Sequence, residues 1–221
     1  PHGRGVVGCG GDYGAAGMKV LIGCESSGTV RDAFIARGHD AMSCDLLPTV
    51  APGPHYQGDV FEAIKMQQWD MAIFHPPCTY LTGSGERWLK DQSPLKSGAL
   101  VGEARRKARA QAIDFFMALW ECGIPRIVIK KPIGVMSSVF RKPNQVIQPW
   151  QFGHGETKAT CLWLKNTPPL IPTNIVEGRE QRIHLLPNTP DRWAIRSVTY
   201  KGIAEAMATQ WGSYTPPLLL F

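Results

Sequence analysis

No apolar run in this chain approaches the roughly 20 residues that a membrane-spanning helix needs. The longest candidate, near Ile113–Trp120, belongs to a stretch with Arg and Glu at its ends. There is no CxxC pair either. The six cysteines are scattered, which argues against a disulfide framework or a zinc ribbon and for a reducing, cytoplasmic setting. No metal site is expected. No GxxxxGK[ST] occurs, which excludes a triphosphate-cradling loop, and no GxGxxG follows the first strand, which disfavours a dinucleotide dehydrogenase. Residues 1–17 are Gly-rich, lack any hydrophobic pattern and precede Met18; they read as an extension or tag-like segment, with no apolar stretch of the signal-peptide kind.

What is present suits one globular domain. The 221 residues have ordinary apolar and charged content, enough to bury a full core, and divide into a domain over 18–215 and a tail over 216–221. The formal charge of +6 and a pI near 9.1 permit a polyanionic partner, nucleic acid first. Periodicity predicts strands at Val20–Gly23, Ala41–Cys44, His55–Gly58, Met71–His75, Arg126–Ile129 and Thr160–Leu164. Helices are predicted at Thr29–Arg37, Phe61–Gln67, Glu103–Trp120 and Gly202–Trp211, with Ala108, Ala112, Phe115 and Leu119 on one face of the third. Strands alternating with helices imply an α/β fold with a doubly wound, mostly parallel sheet and no internal repeat.

The strand at Met71–His75 runs into Pro76-Pro77-Cys78, which sets Cys78 in a rigid turn at a carboxyl end, where ligands collect in open α/β sheets. Cys78 reads as a nucleophile or, alternatively, as a buried structural thiol. Thr79, Thr82 and Ser84 supply small polar groups beyond it. Cys24-Glu25-Ser26-Ser27-Gly28 joins the first strand to the first helix and lets backbone approach a ligand. Asp45 and Asp59 end the second and third strands, placed either for a nucleoside's ribose hydroxyls and adenine amine or as plain helix caps.

In their order along the chain these features resemble the DNA cytosine-5 methyltransferases, particularly the short versions carried by bacteriophages and prophages. The match runs from about Val20 to Trp211. Cys24–Gly28 is similar to the family's S-adenosylmethionine loop, Asp45 to its ribose-binding acid and Asp59 to its adenine-contacting acid. Pro77-Cys78 resembles its Pro-Cys motif, Gly153–Leu164 its later basic motif with Lys158, and Arg196–Tyr200 through Trp211 its closing motif, which returns to the cofactor. The resemblance implies a Rossmann-like methyltransferase fold and a monomer acting on duplex DNA with one base flipped. The cofactor S-adenosyl-L-methionine would be held by Cys24, Glu25, Ser26, Gly28, Asp45, Asp59, Pro76 and Ser197. It also implies covalent catalysis: a Cys78 thiolate adds at carbon 6 of cytosine, and carbon 5 then takes the methyl group. Cations near Cys78 would promote the thiolate.

The sequence departs from the family at two places. Where the family has Glu-Asn before the proline after the fifth strand, Lys130 and Lys131 stand here. The family's Glu holds the cytosine ring nitrogen and amine, whereas a Lys offers only donors. Losing such a contact typically costs about 10²–10³ in rate. The chain then reads as an impaired methyltransferase that still binds cofactor and DNA, as an enzyme of another base or a free nucleotide, or as one in which another acid replaces the Glu. The second departure is a very small target-recognition segment, about 165–195, with Arg179, Arg182, His184 and Arg192 among prolines. It predicts a short or relaxed recognition sequence. Arg105, Arg106, Lys107 and Arg109, with Arg87 and Lys90 in the loop Thr79–Leu100, are candidate DNA contacts, and Tyr80 and Trp88 candidate stacking partners.

Overall fold

The computed structural model describes residues 17–214; the Gly-rich opening through residue 16 and the expected 216–221 tail lie outside them. Seven strands form one sheet: β1 Lys19–Gly23, β2 Asp40–Asp45, β3 His55–Gln57, β4 Met71–Phe74, β5 Arg126–Pro132, β6 Gln145–Ile147 and β7 Thr160–Lys165. Seven helices accompany them: α1 Thr29–Ile35, α2 Val60–Lys65, α3 Gly102–Trp120, α4 Met136–Val139, α5 Arg182–Leu185, α6 Arg192–Ser197 and α7 Lys201–Gly212. The strand order is β3-β2-β1-β4-β5-β7-β6. The first five strands are mutually parallel, and β7 runs antiparallel between β5 and β6.

Side chains alternate across the central strands as the pleat requires. Val20, Ile22, Ile73 and Val128 pack against α1 and α7, where Phe34, Met207 and Trp211 are fully buried. Leu21, Phe74, Ile127 and Ile129 face α2 and α3, where Phe116 and Leu119 complete the second core layer. The chain is therefore a mixed α/β structure, a mostly parallel sheet covered by helices on both faces.

Two sequence expectations are corrected, and two short elements join them. The fifth strand does not stop at Ile129 but continues through Lys130, Lys131 and Pro132, because β7 pairs with all three. The strand β6 and helix α4 carry too little periodicity to be seen in the sequence. On α3, the buried stripe is Arg105, Phe116 and Leu119, with Ala108 and Ala112 only half-buried. Phe115 sits at the edge of this stripe, edge-on to Phe61.

Candidate active site

The strand order reverses between β1 and β4: β2 and β3 lie to one side of the pair, β5, β7 and β6 to the other. In open α/β sheets that switch point opens a crevice at the carboxyl ends of the strands. A cavity of about 120 Å³ lies there, lined among others by Cys24, Asp45, Asp59, Val60, Pro77 and Phe115. Residues from the ends of β1, β2, β3 and β4 thus meet one α3 side chain.

Each expected cofactor residue has a definite place. Cys24 has a left-handed backbone (φ 58), and its thiol is pushed up to about 12 by burial and by the nearby Asp45. Glu25 is buried and is not among the residues that line the cavity. It accepts N–H bonds from Val30 (3.0 Å) and Arg31 (3.5 Å) and the Ser27 hydroxyl (3.0 Å). It serves as the missing N-cap of α1, since the capping position is Gly28, held at φ 74. Burial raises its carboxyl above the usual range. The Ser26 carbonyl accepts the Val50 amide at 2.8 Å, which folds the loop after β2 toward the turn. Arg31, buried under the same loop, donates to Thr49, Ala51 and Pro52.

Asp45 accepts the Leu47 amide (3.0 Å), and Asp59 accepts the Phe61 amide (2.7 Å) as N-cap of α2. Asp59 is thus a helix cap and Asp45 closes a turn, each through Oδ1, while both residues line the cavity. Pro76 is buried, and its carbonyl accepts the Lys131 ammonium. Ser197 is exposed at the end of α6, its hydroxyl donates to Ala194, and it is not among the residues that line the cavity.

Cys78 follows the cavity-lining Pro77 and is exposed. Its carbonyl accepts the amides of Leu81 and Thr82, closing a turn. The adjacent lysines of β5 point to opposite faces of the sheet. Lys131, only 2% exposed, donates to the carbonyls of Pro76 (2.9 Å) and Pro77 (2.5 Å), tying the Cys78 turn to the sheet. Burial lowers its ammonium to about 8, opposed by the Cys78 and Cys24 thiols. Lys130 donates to the Thr199 hydroxyl at 2.5 Å. Burial and the charge of Lys158 lower it to about 7, opposed by Glu25. Lys158, before β7, donates to the carbonyls of Arg196 (2.6 Å) and Val198 (3.2 Å). It is lowered to about 8 by burial and Arg196, with Cys78 and Glu156 acting the other way.

His75 lies beside Lys130 across the sheet, one step past the Phe74–Ile129 pair. Its Nε2 atom is shielded from solvent and has no hydrogen-bond partner. Burial and the charges of Lys130 and Lys158 hold this imidazole well below its usual range.

The expected DNA contacts divide. Arg105 is buried and donates to the carbonyls of Thr79 and Leu100, with its guanidinium over the rings of Tyr80 and Trp88. Arg109 donates to the Tyr80 carbonyl and pairs with Glu86 at 2.8 Å. Arg106 holds the Leu89 carbonyl and Asp91. These three placements share one cause: the helix anchors the Cys78 loop, and the loop's carbonyls take a donor from each arginine. Arg182 pairs with Glu156, which also accepts the Tyr200 hydroxyl at 2.7 Å. Arg87 is exposed over Trp88. Thr79 is exposed, and the Thr82 and Ser84 hydroxyls bond each other at 3.2 Å.

Sequence reasoning missed Lys131 as a tether, Thr199 as the partner of Lys130 and Phe115 as a cavity wall. Thr199 lies in the recognised closing segment, two residues from the one chosen. The role of Phe115 follows only from α3 packing. No protein-family model matches this chain, and no curated protein matches it.

Proposed function

We propose that the chain is a Rossmann-like, S-adenosylmethionine-dependent methyltransferase of DNA, cytosine-5-type in its scaffold, with turnover of cytosine impaired by Lys130. The observation that carries this reading is a juxtaposition: Asp45 and Asp59 share one switch-point cavity with Val60, Pro77 and Phe115, and the next residue along is an exposed cysteine. The sheet supports the finer fold reading. It runs 3-2-1-4-5 as dinucleotide-binding sheets do, then replaces the sixth parallel strand by the β7–β6 pair.

The cavity's chemistry fits an adenosyl group. Two carboxylates each keep a second oxygen free of the backbone amide they cap, suited to ribose hydroxyls and an adenine amine. Val60 and Phe115 offer an apolar wall for a flat base. When bound, the cofactor supplies an electrophilic sulfonium methyl group. The chain's own residues would do the rest. Lys131 fixes the Pro76–Cys78 turn, and Cys78 adds to carbon 6 of a pyrimidine extruded from the duplex. Lys158 and Lys131 bring cationic charge within electrostatic range of that sulfur.

The Lys130 amine, where the family resemblance calls for an acid, favours a second reading: a protein that binds cofactor and DNA without turnover. Calorimetry with S-adenosylmethionine tests the shared part. Asp45→Ala is expected to weaken binding by about tenfold, the loss of roughly one charge-assisted hydrogen bond. Transfer of labelled methyl to cytosine duplexes separates the two readings. Label is expected in Lys130→Glu/Lys131→Asn and nearly absent from the wild type. Rapid cytosine methylation by the wild type would overturn the impairment, and absence of cofactor binding would overturn the whole reading.

A further inference from the structure

Two thiols to which the methyl-transfer chemistry gives no part meet at the same crevice. Cys24 and Cys44 both line the cavity that Asp45 and Asp59 share. Gly23 and Cys44 are register partners in the parallel β1–β2 pair, so Cys24 stands one residue past the partner of Cys44. Parallel strands lie about 4.8 Å apart and rise about 3.3 Å per residue, which puts the two Cα atoms roughly 6 Å apart. Disulfides span about 4.4–6.8 Å between Cα atoms. Regular alternation would send the two side chains to opposite faces of the sheet. The left-handed backbone of Cys24 (φ 58) breaks that alternation, and Glu25 at once donates its amide to the Cys44 carbonyl at 3.0 Å. Both side chains lie on the α2 and α3 side: Cys44 is buried in that core layer and Cys24 packs against it.

Their exposures differ in a useful way. Cys24 is half-buried, open enough for a water-sized oxidant, whereas Cys44 is fully shielded and donates to the carbonyl of Gly58, another cavity residue. Burial and the nearby Asp45 push the two thiols up, to about 12 for Cys24 and about 11 for Cys44. Neither is a standing thiolate at neutral pH, so each resists alkylation, and their oxidation quickens as pH rises. An uncharged disulfide suits this buried site better than either thiolate does.

We propose that Cys24 and Cys44 form a reversible disulfide across this cavity, a redox lock that shuts it to ligand. The lock rests on the methyltransferase reading above only for the identity of that ligand, S-adenosylmethionine. The oxidant is hydrogen peroxide. The Cys24 thiolate attacks one peroxide oxygen, the O–O bond breaks with departure of hydroxide, and Cys24 becomes a sulfenic acid. The Cys44 thiolate then attacks the Cys24 sulfur and expels its hydroxyl group as hydroxide. The two thiol protons end on the two hydroxides as water; the cysteines lose two electrons and the peroxide gains them. A dithiol reductant reverses the bond by exchange. The cavity holds about 120 Å³, so joining two sulfurs of its wall beside Asp45 takes space that an adenosyl group needs.

The full chain is treated with hydrogen peroxide, alkylated, digested and mapped by mass spectrometry. A peptide pair joined through Cys24 and Cys44 is expected, lost on treatment with dithiothreitol. It should form about tenfold faster for each pH unit from 7 to 9, as the thiolate fraction grows. Calorimetry in Cys78→Ser, which removes the exposed thiol, reads the lock. The oxidised chain is expected to bind S-adenosylmethionine about tenfold or more weakly than the same chain reduced. In Cys44→Ala/Cys78→Ser, peroxide should leave the affinity where it was; a loss there too would assign the effect to Cys24 alone and overturn the lock. Absence of the Cys24–Cys44 bond, a Cys24–Cys78 bond in its place, or full binding by a chain that carries the bond would also overturn it. If the reduced chain binds no cofactor, the methyltransferase reading fails, and the mapping alone decides the disulfide.

Discussion

At position 130 a primary amine is held between a hydroxyl, a second ammonium and a capped carboxylate, and its protonation is linked to folding. Burial lowers it to about 7, whereas an unfolded lysine titrates near 10.5. Below pH 7 both states carry the proton and the folded state bears the full burial penalty. As pH rises through 7 the folded chain releases the proton first. The unfolded state then binds more protons, and stability rises. Lys131 and Lys158, each lowered to about 8, act in the same direction. The melting temperature is therefore expected to climb from pH 7 to pH 8.5, below the range where the raised Cys24 and Cys44 thiols begin to oppose it. Lys130→Met should flatten that climb in a pH series of thermal melts; an unchanged slope would show that Lys130 is not the group titrating.

Helix α3 moors the Cys78 loop through Arg105, Arg106 and Arg109. The Arg105 guanidinium fills the space over Gly85, where any Cβ would collide with it. Arg105→Met removes the donors to Thr79 and Leu100 and leaves those carbonyls to find water, so a loss of about 1–3 kcal/mol is expected in chemical denaturation. Faster limited proteolysis within Thr79–Leu100 should accompany it; an unaltered cleavage rate would mean that the loop stands without its mooring. Element identity was largely legible from the sequence for β1, β2, β4, α1 and α3, because burial on both faces leaves continuous apolar runs such as Met71–Phe74. The hairpin partner β6 was not, since Gln145–Ile147 has too little length for a period. The directions of Arg105 and Arg109 were not legible either. Charge on a helix carries no mark of whether its partner is a phosphate or a carbonyl from twenty-odd positions back in the chain. The place of Asp45, Asp59 and Pro77 beside one crevice was legible because strand ends in an α/β order converge by topology alone, whereas Lys131 depends on strand alternation beyond the expected end of β5.

For the molecule as a whole, the inward turn of those arginines shifts the electrostatic footprint. Lys107, Arg87 and Lys90 remain exposed, and the segment between β7 and α7 exposes Arg179, Arg196 and Trp193. Duplex binding is expected to lose close to one unit of its logarithmic salt slope for each of Arg87→Gln, Lys90→Gln and Arg196→Gln that contacts a phosphate. Arg105→Gln should leave the slope unchanged. A slope that falls with Arg105→Gln and not with the exposed set would refute this placement of the proposed DNA surface. No described helix is long and apolar enough to cross a membrane.

The exposure of Cys78 has a practical side. Cys44 and Cys161 are buried, and burial raises the thiols of Cys24 and Cys122. Once Cys9, outside the described residues, is replaced by serine, a maleimide dye at neutral pH has one sulfur within easy reach. That sulfur ends a turn whose two prolines are tethered to the sheet, so the fluorophore would ride on a stiff mount beside the crevice. Its emission would then register arrival of a nucleotide or an oligonucleotide before any bond is made or broken, turning the reactive position into an optical gauge of occupancy.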